Sequence, residues 1–84
     1  MPTAPDENQR ALGQALKTLR SSRHMTQEEL SARTGTHPTY ISDIERGARN
    51  PSWAALVKLV AGMDADMAEL GAVFDGIAAT PPAA

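Results

Sequence analysis

Residues 26–52 read TQEELSARTGTHPTYISDIERGARNPS, and this stretch leaves few folds open. Start and stop signals for short helices crowd it. Thr26 and Glu29 have capping-box spacing, in which the hydroxyl accepts from a free backbone N–H and the carboxylate reaches back to the cap. Gly35 can take the left-handed conformation that closes a helix C-terminus. A helix is therefore expected over residues 26–34. Pro38 suits a first helical turn, where its missing N–H is not needed. Gly47 is a stop signal, so a second helix is expected over residues 37–46. A polar, basic loop, Ala48-Arg49-Asn50-Pro51, leads onward.

The second helix has two faces. At about 100° per residue, Thr39, Ser42, Asp43 and Arg46 share one side, while Ile41 and Ile44 point the other way. A solvated surface helix shows the same split. The brevity of the helix, the turn before it and the basic tail after it favour a more specific unit. Two helices joined across a short Gly-containing turn form a helix-turn-helix, whose second helix lies in the major groove of DNA.

Eighty-four residues allow one domain with a modest core. No cysteine is present, which excludes a disulfide framework and a Cys-based zinc site. The two histidines have no paired ligand pattern, so no metal and no cofactor are expected. The apolar runs are too short to span a membrane, no signal-peptide pattern opens the chain, and a cytoplasmic location is the default. No nucleophile–base set or phosphate-cradling Gly loop points to an enzyme. The net charge of −2 argues against a general polycation that coats DNA, but the charge is unevenly placed. Residues 9–53 carry seven cations against four anions, and the remainder carries Lys58 against six anions. A cationic front and an anionic back orient a molecule toward phosphate.

Strands are not expected, because β-branched and aromatic residues never alternate over a useful length. The fold class read from the pattern is all-α, with five helices. Helix one should cover 6–22, with Leu12, Ala15, Leu16 and Leu19 as its buried stripe. Leu30 is core in the second helix. Ser52 should cap a helix over 53–63 that buries Trp53, Leu56, Leu59, Val60 and Met63. Asp66 and Glu69 form a second capping box that opens helix five. Met67 and Leu70 close the core. Val73, Phe74 and Ile77 either finish that core or form a symmetric dimer patch. The dimer is preferred, since one small module rarely holds DNA tightly alone. The domain is expected over 9–77, after a flexible N-terminal tail and helix start at 1–8 and before a disordered tail at 78–84.

Several runs carry a family resemblance: Gln27-Glu28-Glu29-Leu30, Gly35, Tyr40-Ile41-Ser42-Asp43-Ile44-Glu45-Arg46-Gly47 and Arg49-Asn50-Pro51-Ser52. Together they resemble the phage repressor/Cro, or XRE-type, helix-turn-helix regulators, and within them the restriction–modification controller proteins. The resemblance spans about residues 12–70. It implies double-stranded DNA as partner and a homodimer as the working form. It also implies that Arg20 pairs with Glu45, tying helix one to the recognition helix, although Arg20 can also reach phosphate. Gln27, in the first turn of its helix, is implied as a phosphate contact, where helix N-termini attract anions.

His37 and Thr39 would reach base edges first, although His37 can instead cap the helix. Tyr40 donates to a phosphate or packs at the helix margin. Asp43 can accept from cytosine N4, repel a wrong base or pair with Arg46, with Ser42 as an adaptable neighbour. Arg46, Arg49 and Asn50 are phosphate clamps or a solvated loop. Arg23 is a peripheral phosphate contact or a solvated charge, and His24 is a loop residue of no special role.

One departure matters. Relatives with this motif often carry Arg or Gln where this chain has Pro38. Direct base readout is then expected to be thin, with more weight on phosphate placement and DNA shape. The function implied is a sequence-specific transcriptional regulator, a dimeric repressor reading the major groove. Two rivals use the same sequence differently: an antitoxin that masks a toxin with its helix-five surface, and a protein-interaction adaptor that has lost DNA binding.

Overall fold

The computed structural model describes residues 7–79, and over them the chain is all-α. The elements are α1 (Glu7–Ser22), α2 (Gln27–Thr34), α3 (Pro38–Glu45), α4 (Trp53–Gly62) and α5 (Met67–Ala78). Asp6, the expected start of the first helix, lies outside the described residues, as do 1–5 and 80–84. The boundary expected after residue 77 moves, because Ala78 still belongs to α5 and Ala79 is its C-cap.

Local chemistry sets nearly every helix end. Thr26 and Glu29 make both halves of the capping box on α2, and Asp66 and Glu69 do the same on α5. The Ser52 hydroxyl accepts from the Ala55 N–H at the start of α4. Gly35, at φ 71°, closes α2, with its N–H donating to the Ser31 carbonyl at 2.8 Å. The ends of α1, α3 and α4 share one pattern of crossed bonds. After α3 the Ala48 N–H donates to the Asp43 carbonyl and the Gly47 N–H to that of Ile44. This is the Schellman arrangement, which needs a left-handed residue just past the cap. Gly47 fills that place at φ 76°, but after α1 it is His24 at φ 54° and after α4 Asp64 at φ 56°. His24 therefore has a structural role that its loop position in the sequence hid.

The core joins all five helices. Leu16, Leu30, Ile41, Ile44, Leu59, Val60 and Met63 are fully buried. An eight-residue helix is marginal in water on its own. Ile41 and Ile44, at 0% and 1% exposure, hold α3 to the body. Each such side chain contributes about 1.5–3 kcal/mol on burial, enough to outweigh the weak intrinsic stability of the helix. Gly13 lets α1 approach α3 closely. A Cβ there would lie 2.3 Å from the Ile44 carbonyl oxygen and 2.9 Å from that of Glu45.

Trp53 corrects an expectation. It is 70% exposed rather than core. It occupies the first turn of α4, directly after the Ser52 cap. The indole instead borders an open apolar groove of about 380 Å³, walled by Leu12, Leu56, Met67, Leu70 and Phe74. Val73, Phe74 and Ile77 are half-buried and pack on the core. The large apolar side chains most open to solvent among the described residues are Trp53 and Val57 on α4.

Candidate nucleic-acid interface

The exposed side of α3 is assembled from its two ends inward. His37 is the N-cap, with extended backbone at φ −61° and ψ 136°, and its Nδ1 accepts from the Thr39 backbone N–H at 3.1 Å. Pro38 occupies the first turn, as its fixed φ favours. Thr39 is exposed, and Ser42 and Asp43 are half-buried. Asp43 pairs with Arg46 across one helical turn, so of the three roles open to Asp43 in the sequence the free protein uses the ion pair. The guanidinium of Arg49 stacks over the Tyr40 ring, 5.1 Å from its centroid. Asn50 is exposed beside it. His37, Thr39, Tyr40, Asp43, Arg46, Arg49 and Asn50 are thus gathered on α3 and the loop that leaves it.

Beneath that surface lies a buried polar junction. The Arg20 Nε donates to Glu45 Oε2 at 2.7 Å, and Nη2 to Oε1 at 2.9 Å. Its remaining amino group donates to the Met25 carbonyl at 2.5 Å. The two side chains belong to residues only 9% and 8% exposed. The hydrogen bonds to Glu45 push the Arg20 pKa up, against the opposing pull of burial, so the guanidinium stays charged. The Gln27 amide also donates to Glu45 Oε1, at 2.9 Å. One carboxylate therefore ties α1, α2 and α3 together. Gln27, expected at phosphate, uses one N–H of its amide on this junction and keeps a second.

Arg23 stands apart. Its guanidinium pairs with Glu69 at 2.5 Å, tying the α1–α2 loop to the start of α5. In this structure it is ion-paired rather than standing free. The reason is the acidic first turn of α5, whose place in space the sequence does not reveal. Gln9 also had no signal in the sequence. Its amide donates to the Gly47 carbonyl at 2.8 Å and steadies the turn after α3. Gly13 did carry a signal, since a glycine in a helix interior costs about 0.5–1 kcal/mol and asks for a steric reason.

A short capped helix, anchored by two isoleucines and offering a polar face beside a basic loop, defines a helix-turn-helix DNA-binding module. Comparison with known proteins agrees. Residues 11–73 match the family model described as a helix-turn-helix domain. A transcriptional regulator of the same type from Sinorhizobium fredii, y4dJ, is 37% identical over 59 residues, which cover 70% of this chain and 77% of that one. The crystal structure of the restriction–modification controller protein C.AhdI from Aeromonas hydrophila is 32% identical with a TM-score of 0.74. It covers 77% of this chain and 98% of its own. The controller protein C.Esp1396I, solved as a tetramer on its 35 base-pair operator, shares the fold at a TM-score of 0.84 and 24% identity, over 89% of this chain and 99% of that one. The chain belongs to the helix-turn-helix family, as a DNA-binding transcriptional regulator of the XRE type.

Proposed function

We propose that the protein is a dimeric repressor that places α3 of each protomer in successive major grooves of one operator. The observation that carries this reading is the division of α3, with Ile41 and Ile44 buried and the His37, Thr39 and Arg46 side exposed. In this reading His37, Thr39, Ser42 and Asp43 face base edges. Arg46, Arg49, Asn50, Tyr40 and the second N–H of Gln27 face phosphates. Two recognition helices about one helical turn apart, roughly 34 Å, set the half-site spacing. Occupancy of a promoter blocks polymerase, so control requires no catalysis, and the protein works in the cytoplasm.

The dimer forms through the apolar side of α4 and α5. Trp53 and Val57 are exposed there, and Phe74 lines the same groove as Trp53. A monomeric domain seldom leaves an indole in solvent beside an empty apolar groove.

A fluorescence titration against duplex at rising salt tests the DNA half of the proposal. Each phosphate contact released lowers log K by about 0.9 per decade of salt, so a steep fall is expected. Absence of binding at low salt would favour an adaptor instead.

A further inference from the structure

We infer that His37 is held as a single-donor tautomer and reads a purine N7 from the tip of α3. This rests on α3 being the recognition helix. The Thr39 N–H donates to His37 Nδ1 at 3.1 Å. In neutral imidazole a nitrogen that accepts carries no proton, so the proton sits on Nε2. In the ring Nε2 points away from Nδ1, and the residue is exposed. The end of the ring not used by the cap is therefore a lone N–H directed away from the helix. Serine or asparagine would cap equally well. Histidine adds a second polar atom beyond the cap, with its character fixed by the first.

A fixed donor discriminates between base edges. Purine N7 accepts from it, whereas the amino groups of adenine N6 and cytosine N4 are themselves donors and reject it. Guanine offers O6 beside N7 and suits it best. Pro38, next in the chain, has no side-chain donor to compete for that edge. A phosphate oxygen is also an acceptor, but the N-terminal residues of a recognition helix are those placed at base edges.

Two measurements decide the matter. A long-range proton–nitrogen correlation spectrum of the free protein should show His37 Nε2 protonated and Nδ1 bare; the opposite assignment overturns the inference whatever the DNA does. Duplexes selected from a random pool are then remade with each purine replaced by its 7-deaza analogue. Wild type should lose about fivefold in affinity at one purine per half-site, the worth of one hydrogen bond. His37→Ser, which retains a capping oxygen, should be indifferent to that same replacement. Equal losses for both proteins at every purine overturn the inference. So does a difference that appears only when a flanking phosphate is replaced by methylphosphonate. If no duplex can be selected at all, the recognition-helix reading itself fails and takes this inference with it.

Discussion

On α3 the side chains left in solvent are short, polar or charged, whereas those on α4 include two large apolar ones, Trp53 and Val57. Both helices bury one apolar stripe in the same core, so their inner faces are alike. Their outer faces differ in what they can exclude. A polar face stays hydrated until a ligand supplies hydrogen bonds and charge. An apolar face with a groove beside it gains from any surface that displaces its water. The first suits DNA, and the second suits another copy of the protein.

Breaking the junction beneath α3 should have the largest effect. Glu45→Ala strands the Arg20 guanidinium in a buried site and removes the Gln27 partner as well. Loss of one member of a buried pair costs about 3–5 kcal/mol, a large part of the stability of a domain this small. Urea melts of the variant should show the loss as a lowered midpoint. A midpoint close to wild type would mean that the α1–α3 tie is held by packing around Gly13 alone.

Trp53→Ala addresses the other face. Because the indole is mostly exposed, the monomer should lose little stability. Self-association should weaken by about 2 kcal/mol, the scale of an aromatic hot spot. Sedimentation equilibrium distinguishes this from Val73→Ala, whose half-buried side chain should cost folding more than association. An unchanged dimer constant in Trp53→Ala would remove the α4 surface from the interface.

These two regions were not equally legible in the sequence. Around α3 the decisive signals are local. A capping box spans four residues, a Schellman turn six, and the two isoleucines lie three apart, so sequence order already contains the geometry. The α4–α5 face depends on where separate helices end relative to one another. Trp53 has the right spacing for the buried stripe and still stays mostly in solvent, at the edge of a groove shared with α5. The same limit hid Arg23 with Glu69 and Gln9 with Gly47, pairs separated by 46 and 38 residues.

Pro38→Arg probes the tip of α3. The cap at His37 does not depend on proline, and arginine at the first turn adds a forked donor at the groove-facing end. Binding to a site containing guanine should tighten by about 1–3 kcal/mol. An unchanged dissociation constant would place the tip of α3 away from base edges. His24→Gly is a smaller test, at the turn after α1. Glycine removes the strain of a left-handed backbone at φ 54°, and a gain of about 1 kcal/mol is expected from the melting temperature. A loss would show that the imidazole contributes more than its backbone costs.

The smallest effect expected is one of pH at the start of α2. Glu29 accepts from the Thr26 backbone N–H while the Thr26 hydroxyl accepts from the Glu29 N–H. The bond from the Thr26 backbone N–H first, and the Thr26 hydroxyl second, hold the Glu29 carboxyl below its ordinary pKa, with some help from Arg33. A carboxylate whose pKa is lower in the folded state stabilises that state above its unfolded pKa, about 4.3. That contribution fades as pH falls through the lower folded value. Glu29→Gln can still reach back to the cap but does not titrate. The two proteins should therefore differ at neutral pH and converge in acid, below both pKa values. Parallel acid melts of wild type and variant would show instead that the Thr26 hydroxyl alone holds α2, and that the carboxylate at its N-terminus is dispensable to presenting α3.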